Sequence, residues 1–413
     1  MKHNYFKTAI TLMVAVFAFQ AQGQGLQGDW TGKLDLGAQK LSLVFHIDIV
    51  GKKVTLDVPE QGATGIPMTV NHLSDDSISV LVPQIKMSFS GRLATDELHG
   101  TFTQGPISQP VVCIRGQRKY LRPQEPTPPL PYPTEEVVFK NDKAGVTLSA
   151  TLTYPKDFKW GKTPVVLFVT GSGPQNRDEE LFFHKPFLVI ADALAKAGIA
   201  SLRYDDRGVG KSTGKFGEAT TFDFADDAAA GLQYLRDRKE FGKVGLVGHS
   251  EGGMIAFILG SRKKTDFVVS LAGPATRIDT MMCMQFNKLA RAKGATADVV
   301  NSAENARKML LAMNPSAWTK AFVDLDMVPY VKKVACPVFH ANGSLDLNVP
   351  AELTIPALRR HLPSNRKTLI KEYGGLNHEF QHATTGNPEE CVNIEETFAP
   401  EVLNDMTTWI NKL

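Results

Sequence analysis

A chain of 413 residues is too long for one ordinary domain and long enough for a large α/β core with an accessory unit. Its 43% hydrophobic and 22% charged residues are those of a soluble globular protein, which excludes a fibre or a disordered chain. The formal charge is only +3, and loss of Lys2 and Lys7 with the first 23 residues would leave +3 − 2 = +1, so nucleic acid is not an expected partner.

Residues 1–23 read as a secretory signal. Lys2, His3 and Lys7 give a positive start, 9–19 is almost wholly apolar, and Ala21-Gln22-Gly23 places small residues where a signal peptidase cuts. The expected location is therefore the periplasm or the medium. The apolar run is short for a membrane span and no cysteine marks a lipid anchor, so no stable membrane insertion is expected once the signal is removed. The four cysteines, Cys113, Cys283, Cys336 and Cys391, follow no metal spacing and no dense disulfide pattern; export would permit one bridge.

From 24 to 120 short alternating segments (40–49, 53–58, 77–82, 86–90) are separated by Gly, Pro, Asn and Asp, the pattern of a small all-β accessory domain, barrel or sandwich. Strand openings are expected at 28–32 and 98–102. His46, His72 and His99 lie in it without an acidic or cysteine partner at ligand spacing, which favours ordinary surface or core histidines over a metal site. Residues 121–133 hold six prolines (Pro123, Pro126, Pro128, Pro129, Pro131, Pro133) and read as a semi-rigid, polyproline-like linker.

Beyond 134 the rhythm changes. Two strand-like runs (136–140 and 146–154) flank a turn, after which strands and helices alternate as in a mostly parallel sheet covered on both faces. Strands are expected at 164–170, 199–204, 244–247, 267–271, 337–341 and 367–373. Helices are expected at 187–197, 222–238 and 400–413, the second beginning beside Asp223, whose charge suits a helix N-terminus. Residues 244–253 read V-G-L-V-G-H-S-E-G-G and run into a helix-compatible stretch at 254–259, so the G-x-S-x-G pattern sits on a strand-turn-helix junction. Ser250 is the candidate nucleophile. Asp346 follows the strand at 337–341 and His378 the strand at 367–373, and open parallel sheets gather their sites at such strand ends.

The order Ser250, Asp346, His378, with the loop T-G-S-G-P-Q-N-R-D (170–178) and the segment R-Y-D-D-R-G-V-G-K-S (203–212), resembles the exported α/β-hydrolases of the carboxylesterase and serine-aminopeptidase-like group. The resemblance covers about two thirds of the chain. It implies an α/β-hydrolase fold over 134–413, with a helical cap at about 275–330, and a Ser-His-Asp triad with no metal and no cofactor. The backbone N–H groups of Ser172 and Glu251 would form the oxyanion hole. The family usually has histidine where this chain has Thr170.

Plainer readings stand beside these. The glycines at 171–173 lack a Walker lysine, and 208–212 reads as a structural loop braced by Asp206 and Arg207 rather than a nucleotide site. Asp324 and Asp326 precede their strand and are misplaced for a triad acid. His249 and His340 read as packed rather than basic. Six of the 12 methionines (Met281, Met282, Met284, Met309, Met313, Met327) fall in the cap region, either lining an acyl pocket or filling gaps between helices.

Three functions remain open from sequence. The first is a serine esterase on a small-molecule acyl ester, and the second an aminopeptidase or amidase with the same triad. The third is an exported binding protein that has lost activity. An aminopeptidase would need a cap carboxylate for a substrate ammonium, for which Glu304, Asp324 and Asp326 are available.

Overall fold

The computed structural model of the chain describes residues 25–36, 40–116 and 120–413, so the expected export signal lies outside the described residues. The chain forms two compact units. Ser42–Asp57 and Gly65–Arg118 fall in the first, and Lys119–Leu413 falls in the second together with the short segment Val58–Thr64.

The first unit is all-β, as the alternating segments predict. Its strands are β1 (Gly28–Asp35), β2 (Lys40–Asp48), β3 (Lys53–Val58), β4 (Ala63–Leu73), β5 (Ser77–Val82), β6 (Met87–Ala94), β7 (Glu97–Gln104) and β8 (Ile107–Arg115). They run in sequence order as a closed barrel, and antiparallel pairing of β1 with β8 (Thr31 opposite Ile114) closes it. Inward residues such as Trp30, Val80 and Leu98 are fully buried, and Phe45 and Phe89 meet at 4.5 Å between ring centroids. Closure leaves no sheet edge to pair with another chain. His46 departs from the plain reading of its type. It bridges two carboxylates, Asp29 at 2.7 Å and Asp57 at 2.9 Å, and the bond to Asp57 outweighs burial to hold its pKa up at about 9. Its acidic partners lie 17 and 11 residues away, beyond any local spacing rule. His72 instead bonds Ser77, and His99 bonds Glu97.

The second unit carries β9 (Thr134–Asn141), β10 (Val146–Thr153), β11 (Val165–Val169), α1 (Pro186–Lys196), β12 (Ala200–Tyr204), α2 (Thr221–Asp237), β13 (Val244–His249), α3 (Glu251–Ser261) and β14 (Val268–Leu271). Four helices follow, α4 (Ile278–Ala292), α5 (Ala303–Met313), α6 (Ala317–Val323) and α7 (Val328–Val331), in the stretch where a helical cap is expected. The chain ends with β15 (Val338–Gly343), α8 (Ala351–His361), β16 (Leu369–Tyr373), α9 (Pro388–Cys391) and α10 (Pro400–Asn411).

One eight-stranded sheet collects these strands in the order β9-β10-β12-β11-β13-β14-β15-β16. Only the β9–β10 and β10–β12 pairs are antiparallel. A strand buried on both faces needs apolar residues at every position, and β11 (V-V-L-F-V) has them. Val165, Leu167 and Val169 enter the core under α2 and α3, while Val166 and Phe168 enter the core under α1 and α10. The Asp223 carboxylate accepts from the Thr220 N–H at 2.9 Å and so caps α2.

The proline-rich segment does not stand clear as a spacer but is laid along the second unit. Arg122 donates to the carbonyls of Phe182, Phe183, Val392 and Ile394, and Gln124 binds Phe398 through both main-chain groups. Tyr132 donates to Asp192 at 2.9 Å. All four cysteines are free thiols, with Cys113 and Cys391 buried. Among the described residues no helix is long and apolar enough to cross a membrane.

Candidate active site

β13 delivers the chain to Ser250 and α3 takes it away, with Ser250 itself at φ 53° and ψ −116°. A non-glycine residue there is strained, and such strain recurs where a side chain must be aimed. The flanking glycines serve close approach instead of left-handed geometry. A Cβ on Gly248 would lie 2.1 Å from the Gly252 carbonyl oxygen, and one on Gly252 would lie 2.0 Å from that of Val169. The Ser250 N–H donates to Leu271 O at 2.8 Å, which ties the turn to the next strand.

The structure brings Asp346 and His378 together at the ends of β15 and β16. His378 Nδ1 bonds Asp346 Oδ2 at 2.9 Å, leaving Nε2 for a reacting group. Asp346 is 1% exposed and also accepts from Asn342 Nδ2 at 3.1 Å and from the N–H groups of Asn348 and Val349 at 2.8 Å. Four donors fix that carboxylate. His340, in β15, is buried between Ser270 and Asn342, and burial pushes its pKa down to about 4, so it is neutral and supports Asn342. It is packed, as its place in a strand predicts.

Ser250 and His378 line one cavity of ≈ 320 Å³, together with Ser172, Glu251, Met281, Met282, Trp318 and Phe322. No hydrogen bond joins the Ser250 hydroxyl to His378 among the described residues; catalytic hydrogen bonds in substrate-free sites are often long and tighten when substrate binds. Glu251 opens α3, whose first N–H groups have no intrahelical partner and so are available to an anion. Ser172 lies on the loop after β11, and its hydroxyl donates to the Glu251 carboxylate at 2.8 Å.

Asp206 and Arg207 do brace structure here, but the Asp206 carboxylate holds the loop after β11 rather than 208–212. Asp206 accepts from Thr170 Oγ1 at 3.0 Å and Gln175 N at 2.9 Å, Asp205 takes both ends of the Arg177 fork, and Arg207 pairs bidentately with Asp227. Thr170 thus contributes its side chain to the brace. Burial pushes the Asp206 carboxyl well up.

His249 is packed, as expected, but it is also charged. Burial opposes protonation, yet the Glu179 carboxylate at 3.1 Å from Nδ1 outweighs it and lifts the pKa to about 10. The other nitrogen donates to the His378 carbonyl at 3.1 Å. Glu179 Oε1 accepts from the Gly171 N–H at 2.6 Å, so this pair ties the loop after β11 to the loop that carries His378. Sequence reasoning missed Glu179, which is 70 residues from its partner with no spacing rule between them. It also missed the Glu251 side chain, since the elbow motif speaks only for the backbone there.

His249, His378 and Glu379 bring ligand atoms within 4.8 Å of one another. Both nitrogens of His249 and the Nδ1 of His378 are already committed, so the set does not fit a resident metal. Of the cap methionines, Met281 and Met282 line the cavity, whereas Met327 is fully buried elsewhere and Met313 is 70% exposed. Of the cap carboxylates, Glu304 pairs with Lys308 at 3.4 Å, Asp324 pairs with Arg307 at 2.5 Å, and Asp326 accepts from the Val328 N–H at 3.0 Å; none lines the cavity.

Residues 186–383 match the Hydrolase_4 family, described as serine aminopeptidase, S33; the matched stretch includes Ser250, Asp346 and His378. Esterase EstD of Thermotoga maritima is 28% identical over 240 residues, covering 56% of this chain. The chain matches 57% of that relative's length. Among solved structures, Est1E from Butyrivibrio proteoclasticus with bound ferulic acid has a TM-score of 0.45 at 19% identity, covering 67% of this chain and 96% of its own. The Pyrococcus furiosus esterase PF2001 has a TM-score of 0.48 at 17% identity, covering 72% and 99%.

Proposed function

We propose that this chain, an α/β-hydrolase by its strand order and serine elbow, is a serine hydrolase of carboxylic esters. The carrying observation is a strained Ser250 facing the same cavity as a His378 already oriented by a buried Asp346. In this reading Ser250 Oγ bonds to the acyl carbon as its proton passes to His378 Nε2. Asp346 holds the Nδ1–H and stabilises the imidazolium. The carbonyl oxygen becomes an oxyanion against the N–H groups of Ser172 and Glu251, each such donor being worth about 3 kcal/mol in the transition state. Collapse expels the alcohol, which takes the proton from His378, and water then repeats the steps to release the acid.

The named esterase relative supports ester over amide chemistry. So does the placement of Glu304, Asp324 and Asp326, the cap carboxylates an aminopeptidase would call on, which are engaged by neighbours and away from the cavity. The mostly apolar lining, with Met281, Met282, Trp318 and Phe322, suits a small or medium acyl group. Export through the signal at 1–23, and the division into an accessory domain to 120 and a hydrolase domain from 134 with the packed segment 121–133 laid along it, belong to the same proposal. Assay of the purified chain on p-nitrophenyl esters of increasing acyl length beside aminoacyl anilides should show ester hydrolysis and no measurable anilide hydrolysis. Faster cleavage of the anilides would transfer the site to the aminopeptidase reading.

A further inference from the structure

The Glu251 carboxylate is 2% exposed and is held by donors from three separate parts of the second unit. Ser172 Oγ, on the loop after β11, donates at 2.8 Å; Thr221 Oγ1, at the start of α2, at 2.6 Å; and Trp318 Nε1, in α6, reaches both oxygens at 3.0 and 3.2 Å. A buried carboxylate that loses a donor bears the full cost of that unmade bond, so these groups move together or not at all. Two of the four residues, Ser172 and Glu251, are those whose backbone N–H groups form the oxyanion hole in the reading above, on which this inference rests. Trp318 also stacks on Phe322 at 4.7 Å, and both rings line the cavity.

We propose that Glu251 is a latch through which the cap residue Trp318 sets the position of the oxyanion loop, making Glu251, Trp318 and the Ser172 hydroxyl positioning residues for ester hydrolysis. The indole N–H fixes where the carboxylate rests, and the carboxylate fixes the Ser172 hydroxyl and with it the adjacent peptide. Small displacements of such a donor matter because its value depends on the place where charge develops. Trp318 therefore acts on turnover itself, even for an acyl group too short to touch it.

Trp318→Phe keeps the ring and removes the N–H, and Ser172→Ala keeps the backbone donor and removes the hydroxyl. On an acetyl ester each is expected to lower kcat by about tenfold with KM within about twofold of wild type. The double variant should lose little more than either single one. A Trp318→Phe protein with unchanged kcat on acetate and raised KM only on long acyl esters would make Trp318 a plain wall of the cavity and overturn the latch. Additive losses would overturn it as well. If Trp318→Phe does not fold by circular dichroism, Ser172→Ala carries the same test: a fall in kcat supports the latch and an unchanged kcat overturns it. Absence of ester hydrolysis from the wild type would instead remove the hydrolase reading, and the latch with it.

Discussion

Ser250→Ala should lower ester turnover by about 10⁶-fold and leave the fold unchanged. The substitution removes one oxygen, so nothing but solvent or substrate can attack the acyl carbon. Stability is expected to change little, because alanine meets the same positive φ of 53° as serine does and the cavity accommodates the loss. The Ser250 N–H bond to Leu271 survives, since it belongs to the backbone. Turnover of p-nitrophenyl acetate, with circular dichroism and thermal unfolding of the same samples, checks both halves. Near wild-type turnover would remove Ser250 from the mechanism.

Asp346→Asn and His378→Ala should follow with losses of about 10⁴-fold or more that do not add to one another or to the loss of the nucleophile. The geometry gives a reason for the first. Asp346 Oδ1 accepts from the N–H groups of Asn348 and Val349, so in the asparagine variant the carbonyl oxygen takes that side. The new amide then faces His378 Nδ1 and Asn342 Nδ2, both of which need an acceptor. His378 can meet an amide donor only by carrying its own proton on Nε2, the tautomer that cannot accept from Ser250. Steady-state kinetics of the two single variants and the double variant decide the point, strictly additive losses counting against a triad acting as a unit.

The sheet of the second unit was readable from sequence because its strands are continuous apolar runs such as 165–169, bounded by turn residues, with helical periods between them. Chain order then placed Ser250, Asp346 and His378 at strand ends without any contact being known. What sequence could not supply are contacts between distant segments. β4 and β8 went unrecognised because Gly65, Pro67 and Pro110 break their pattern, yet pairing across the closed barrel holds them in register. His46 gains two carboxylates only when β1, β2 and β3 lie side by side. The proline-rich segment reads as a spacer by composition, and Arg122 and Gln124 determine that it packs. Glu179 and Glu251 were silent for a similar reason: a buried carboxylate in sequence looks like any solvated one until its donors arrive from 70 and 67 residues away.

Covalent capture tests most directly whether Ser250 is a nucleophile activated within this cavity. A fluorophosphonate should add once to the wild-type chain, and peptide mapping should place the adduct on Ser250, with no adduct on Ser250→Ala and a much slower one on His378→Ala. An adduct on any other residue, or equal labelling of the Ser250→Ala protein, would contradict that role.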